Sequence, residues 1–230
     1  MTPIPEEAPV RMATVSERGG MASGMNELAR VARIVKRLAW RSKVGVAETG
    51  MLLPPTPPDL MTLSDALAAL DTTRTSILAD LDAFTPEQRV ASPAEGAWSP
   101  EQVAEHVLTA ERGILASIRR STDAHLGTPS QQAVEGVISF MKSDQKAQTP
   151  PFLEPQGMAY DDARQGLGTV GADWHELVDS LSDAPQDRAV FAHPMAGPMT
   201  LLDTLRFMES HAGHHRHQLA RIRASESVSA

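Results

Sequence analysis

Four of the chain's eight histidines fall within the short segment MESHAGHHRHQ, at positions 211, 214, 215 and 217. Neutral imidazole is a common ligand for zinc-like ions, and two histidines one helical turn apart can close on the same ion. Cysteine is absent. That removes disulfides, thiolate ligands and a cysteine nucleophile, and leaves nitrogen and oxygen atoms to hold any metal. A three-nitrogen site with open positions has two uses: it acidifies a bound water for hydrolysis, or it holds a thiol as its thiolate for S-transfer.

Which of these histidines converge depends on the helix that carries them. Leu201, Leu205, Met208, Ala212, His215, Leu219 and Ile222 are spaced 4, 3, 4, 3, 4 and 3, a regular core seam with one histidine inside it. At about 100° per residue, His211 lies about 40° from His215, on the flank of the seam. His214 and His217 fall about 140° and 160° from its centre, toward solvent. A third ligand then has to come from another helix, and His106 is the candidate. In WSPEQVAEHVLTAERGI, the residues Val103, Val107, Ala110, Ile114 and Ile118 form a core stripe, and His106 sits about 80° off its centre. His125 in a loop, His175 on a helix surface and His193 in a Pro-flanked turn are weaker candidates. The same placements also suit plain hydrogen-bonded core histidines, and periodicity alone does not make the two helices neighbours. No general base is identifiable: Glu105 adjoins His106 but is expected to face about 100° away.

The elements that would position these residues are helical. Segments 62–84, 99–122, 159–181 and 199–224 each carry apolar residues at helical spacing. Start signals precede three of them: Ser99 before Pro100, the pair Asp161 and Asp162, and Pro198. No segment alternates as a strand. The fold class predicted is all-α, a four-helix bundle with a long crossover between its second and third helices. The crossover spans about 123–158 and carries a short helix at 131–142. It fits a bundle whose successive helices are not antiparallel neighbours.

The chain has 230 residues and a net charge of −8, unevenly spread. Residues 1–58 carry eight Lys/Arg against five Asp/Glu, or +3; the remainder carries 13 against 24, or −11. An acidic body argues against nucleic acid as a partner. Three parts follow: a disordered tail at 1–24, a basic amphipathic helix (26–43) with a Pro-rich linker at 25–59, and a bundle at 60–225. The basic helix is expected to dock on the acidic bundle in preference to an anionic membrane surface. No apolar run reaches the length of a spanning helix or signal peptide, so a cytoplasmic location is expected. The motif GLGTVG, Gly166 to Gly171, fits G-x-G-x-x-G, but a dinucleotide site needs a strand before it. Here a helical pattern surrounds it, and the glycines are read as places of close helix packing. The Glu-x-x-His pairs of a di-metal carboxylate bundle do not occur.

WSPEQVAEHV in the second helix and HPMAGPMTLLDTLRFMESHAGHHRHQLARI at the fourth together resemble the DinB-like (DinB/YfiT) superfamily of bacterial metal-binding four-helix bundles. The resemblance covers about residues 60–224 and says nothing of the N-terminal extension. It implies a three-histidine metal site, which residue by residue is His106, His211 and His215. Gln218 matches a glutamine common in such sequences, either a ligand-orienting residue or a surface amide; Glu111 is a weaker candidate for that role. The resemblance further implies a divalent metal, zinc ahead of nickel or iron, and a small-molecule substrate. The activity implied is that of a metal-dependent hydrolase, or of a transferase or isomerase using a low-molecular-weight thiol such as bacillithiol or mycothiol. The alternative is a non-catalytic metal-binding stress or interaction bundle. A homodimer is compatible with exposed bundle faces.

Overall fold

A computed structural model describes residues 61–121, 126–143, 145 and 148–228. The tail, the basic helix at 26–43, its linker and His125 lie outside the described residues. The four long helices are α1 (Leu63–Asp82), α3 (Pro100–Ser121), α5 (Tyr160–Ser180) and α6 (Leu201–Val228). A short α2 (Pro86–Val90) follows α1, and the crossover carries α4 (Gln131–Met141) and a 3₁₀ turn at Pro151–Leu153. The spans agree with the periodicity to within a few residues.

Capping sets several of these starts. Thr62 and Asp65 form a capping box on α1, and Thr85 and Gln88 form one on α2. At α3, Ser99 Oγ accepts from the Gln102 amide while Gln102 Oε1 accepts from the Ser99 amide, so the orphan N–H groups of the first turn are satisfied reciprocally.

The last helix starts differently from the sequence reading. Pro198 does not lead into it but lies in a strand. Residues Ala189–His193 (β1) and Gly197–Thr200 (β2) pair as an antiparallel hairpin, the one sheet among the described residues. These strands were not anticipated, because each is short and the pairing has a register irregularity between Ala189 and Phe191. The helix is capped by Thr200, whose Oγ1 accepts from the Asp203 amide while Asp203 Oδ2 accepts from the Thr200 amide.

Side-chain pairs across the interfaces give the topology. Between α3 and α5, Leu108 meets Gly166 and Arg119 meets Asp173 and Glu176, so the two run parallel. Between α1 and α6, Thr73 meets Glu209 and Asp80 meets Arg216, again in parallel. Between α1 and α5, Asp71 pairs with His175 and Asp82 with Arg164, an antiparallel arrangement. Each long helix thus packs on two others, and the chain runs up, down, down, up. The long crossover is what lets α3 and α5 lie side by side pointing the same way, as a short turn cannot.

The seam of α6 is buried throughout, from Leu201 to Ile222. The stripe of α3 is wider than expected. Ile114 is only half-buried, while Leu108, Glu111 and Leu115 are fully enclosed, because α3 packs on both α5 and α6. The glycine motif lies wholly within α5. A Cβ on Gly166 would collide with the Leu108 side chain, and one on Gly171 would come within 3.0 Å of Arg74 Nη1. Close helix approach accounts for both residues.

Candidate metal centre

The site sits between α3 and α6. His106 Nε2 lies 3.3 Å from His211 Nε2, and His215 Nε2 lies 3.2 Å from the same atom. All three donor atoms fall within 4.8 Å of one another. The three residues are 5–8 % exposed. Ligand bonds of about 2.0–2.1 Å at a tetrahedral angle put neighbouring nitrogens about 3.3 Å apart, so the two spacings about His211 suit one small divalent ion. Among the described residues no carboxylate joins the cluster, and the donor set is three neutral nitrogens.

Each ring is oriented from behind. His106 Nδ1 is 2.8 Å from the Leu153 carbonyl oxygen. A carbonyl only accepts, so Nδ1 carries the hydrogen and Nε2 presents its lone pair. His215 Nδ1 bonds Gln218 Oε1 at 2.9 Å, with the same result. Of the two readings of Gln218, the orienting amide is the one observed. His211 Nδ1 is buried with no hydrogen-bond partner among the described residues. That ring is fixed by packing instead, its centroid 6.0 Å from the ring of Phe207.

Burial holds all three histidines neutral. His211 is pushed well below the ordinary imidazole value by burial, then by the neighbouring His215 and His106. His215 is pushed to about 3, again by burial first and His106 second. His106 is lowered by burial, against the opposing Leu153 hydrogen bond. A ligand must be deprotonated to bind, and these rings are so before any ion arrives.

Several residues around the centre escaped the sequence reading. Trp98 lies just ahead of the α3 cap, its ring 4.7 Å from His106 and 6.4 Å from His215, nearly parallel to the latter. Glu105, the neighbour of His106, is buried. Its carboxylate accepts three successive backbone N–H groups, from Gln156 at 2.6 Å and from Gly157 and Met158 at 3.0 Å. Gly157 has φ +92°, a conformation that favours glycine. Glu105 thereby anchors the segment whose Leu153 carbonyl orients His106. Glu111 serves the core rather than the centre, binding Arg74 Nη2 at 2.8 Å and Trp174 Nε1 at 2.9 Å.

The other histidines separate as follows. His217 is exposed, as expected. His214 is not: it is half-buried, and its Nδ1 donates to the Met141 carbonyl at 3.1 Å, because α4 covers that side of α6. His175 pairs with Asp71 at the surface. His193 ends β1, and the turn after it folds back onto its ring.

Comparison with known proteins agrees with this fold. A sequence model of the DinB superfamily matches residues 69–219. Among curated proteins none matches the chain. Among solved structures, the chain is similar to YfiT from Bacillus subtilis, described as a probable metal-dependent hydrolase with an unusual four-helix bundle topology. The two share 13% identity over 77% of this chain and 95% of YfiT, with a TM-score of 0.54. TT2238, a four-helix bundle protein, is 26% identical over 71% of this chain and 99% of its own, with a TM-score of 0.43. Since the superfamily model spans well over half of the sequence, the chain belongs to the DinB superfamily.

Proposed function

We propose that the protein binds a divalent metal, zinc first, through His106, His211 and His215, and acts as a metal-dependent hydrolase on a small molecule. The observation that carries this reading is the convergence of three Nε2 atoms, that of His211 lying 3.2–3.3 Å from the other two and all three within 4.8 Å, two of them with the hydrogen held on the opposite nitrogen. An ion held by three imidazoles with open positions brings the pKa of a bound water toward about 7 and polarises a substrate oxygen.

The chain's own residues prepare that chemistry. Leu153 and Gln218 fix two ligands in the metal-ready tautomer, burial removes competing protons, and the Trp98 ring packs on His106 and His215. Two of the four exposed large apolar side chains among the described residues, Phe152 and Met195, lie on the segments carrying Leu153 and following His193. They favour a substrate with an apolar portion.

The test is calorimetric titration of the metal-free full-length protein with zinc, beside His211→Ala. One equivalent bound by wild type, and a loss of at least a hundredfold in the variant, is expected; no uptake by wild type refutes the site. Zinc-loaded protein is then assayed on ester and amide panels with and without added bacillithiol or mycothiol. Turnover independent of thiol supports hydrolysis, turnover only with thiol assigns S-transfer, and metal uptake without turnover returns the non-catalytic reading.

A further inference from the structure

His193 lies outside the three-histidine set, yet it is held more tightly than a turn residue requires. Its Nδ1 accepts hydrogen bonds from the amides of Met195 at 3.1 Å and Ala196 at 3.2 Å. A nitrogen that accepts two amide hydrogens has none of its own, so the neutral ring keeps its hydrogen on Nε2. That N–H is on the side of the ring away from the turn, and it makes no hydrogen bond among the described residues.

The ring stands edge-on to Phe207, with centroids 4.6 Å apart. Phe207 precedes His211 by one helical turn and packs against it. His193 and His211 thus lie on either side of one Phe207 ring. Burial pushes His193 down to about 4, which keeps it a neutral donor at neutral pH. Two of the three clustered imidazoles are thus fixed with a lone pair toward the shared point, and a fourth, across Phe207 from His211, is locked the other way round, as a donor.

We propose that His193 is a substrate-binding donor of the three-histidine site, its Nε2–H bonding an oxygen of the small molecule held there. It selects ligands with a carbonyl, carboxylate or hydroxamate oxygen over cationic or wholly apolar ones. This inference rests on the metal-site reading above.

Two variants separate the donor from the turn. His193→Asn keeps an oxygen near the Nδ1 position to accept the Met195 and Ala196 amides but has nothing at Nε2. His193→Gln can supply an N–H near Nε2 but gives up the turn bonds. Full-length zinc-loaded proteins are titrated with acetohydroxamate as the probe. The Asn variant is expected to bind zinc within about threefold of wild type and to lose about tenfold in acetohydroxamate affinity, the worth of one hydrogen bond to a strongly polar oxygen. The Gln variant is expected to unfold at lower urea yet bind the probe more tightly than the Asn variant. Equal probe affinity in wild type and the Asn variant overturns the inference and leaves the metal site standing. Heteronuclear NMR of the wild-type ring needs no variant: hydrogen on Nε2 supports the inference, and hydrogen on Nδ1 overturns it alone. No zinc uptake by wild type overturns the metal reading, and the inference with it.

Discussion

Truncating Gln218 to alanine should loosen the metal centre without emptying it. The residue touches no ion; it accepts the Nδ1 hydrogen of His215 and so fixes which nitrogen faces the other two rings. Outer-shell partners of this kind are worth about 10–100-fold in metal affinity. Competition titration of Gln218→Ala against a chelator should show a loss in that range, smaller than the loss for any of the three histidines. An unchanged affinity would mean that packing alone aligns His215. The three ring positions were legible in the sequence because a seven-residue seam on α6 and a stripe on α3 fix angles around an axis. The Leu153 carbonyl was not, since backbone atoms of a distant loop leave no mark in side-chain periodicity. Trp98 was hidden, and His193 ranked only as a weaker candidate, for a related reason: both precede the helices whose spacing was being read.

At the scale of elements, the 150–158 segment is tied to α3 by one carboxylate. Replacing Glu105 with alanine leaves the amides of Gln156, Gly157 and Met158 without their acceptor. A destabilisation of about 1–3 kcal/mol is expected, measured by urea unfolding, together with weaker zinc binding as the Leu153 carbonyl drifts from His106. A variant with wild-type zinc affinity would show that the segment holds its place by other contacts. Gly166→Ala is the corresponding test of the α3–α5 contact. The added methyl meets Leu108, and such overpacking costs about 1–3 kcal/mol. Helix existence and length were readable from the seams and caps, while the β1–β2 hairpin was not. Its strands are four and five residues long, too short for alternation to rise above the helical pattern next to it.

For the whole molecule, acid should be the sharpest stress on the metal-free protein. His193 and His215 are held by burial near about 4 and about 3, against about 6.5 for histidine in an unfolded chain. Between those values the unfolded chain binds more protons than the folded one, so unfolding free energy falls as pH falls below about 6.5, and the loss is complete only below about 3. Urea midpoints measured from about pH 7.5 down to about pH 4.5 should decline steadily, and a flat series would contradict the buried neutral state. Zinc at a hundred times its dissociation constant should add about 2.7 kcal/mol at neutral pH.

Connectivity also decides when such a centre exists at all. His106 and His211 touch across a sequence separation of 105 residues, on helices that are not consecutive. A chain still emerging from the ribosome, with α6 unmade, owns a single donor and has nothing to offer an ion. Metal capture is then the closing event of assembly, and a loaded centre certifies that the last helix has found its slot.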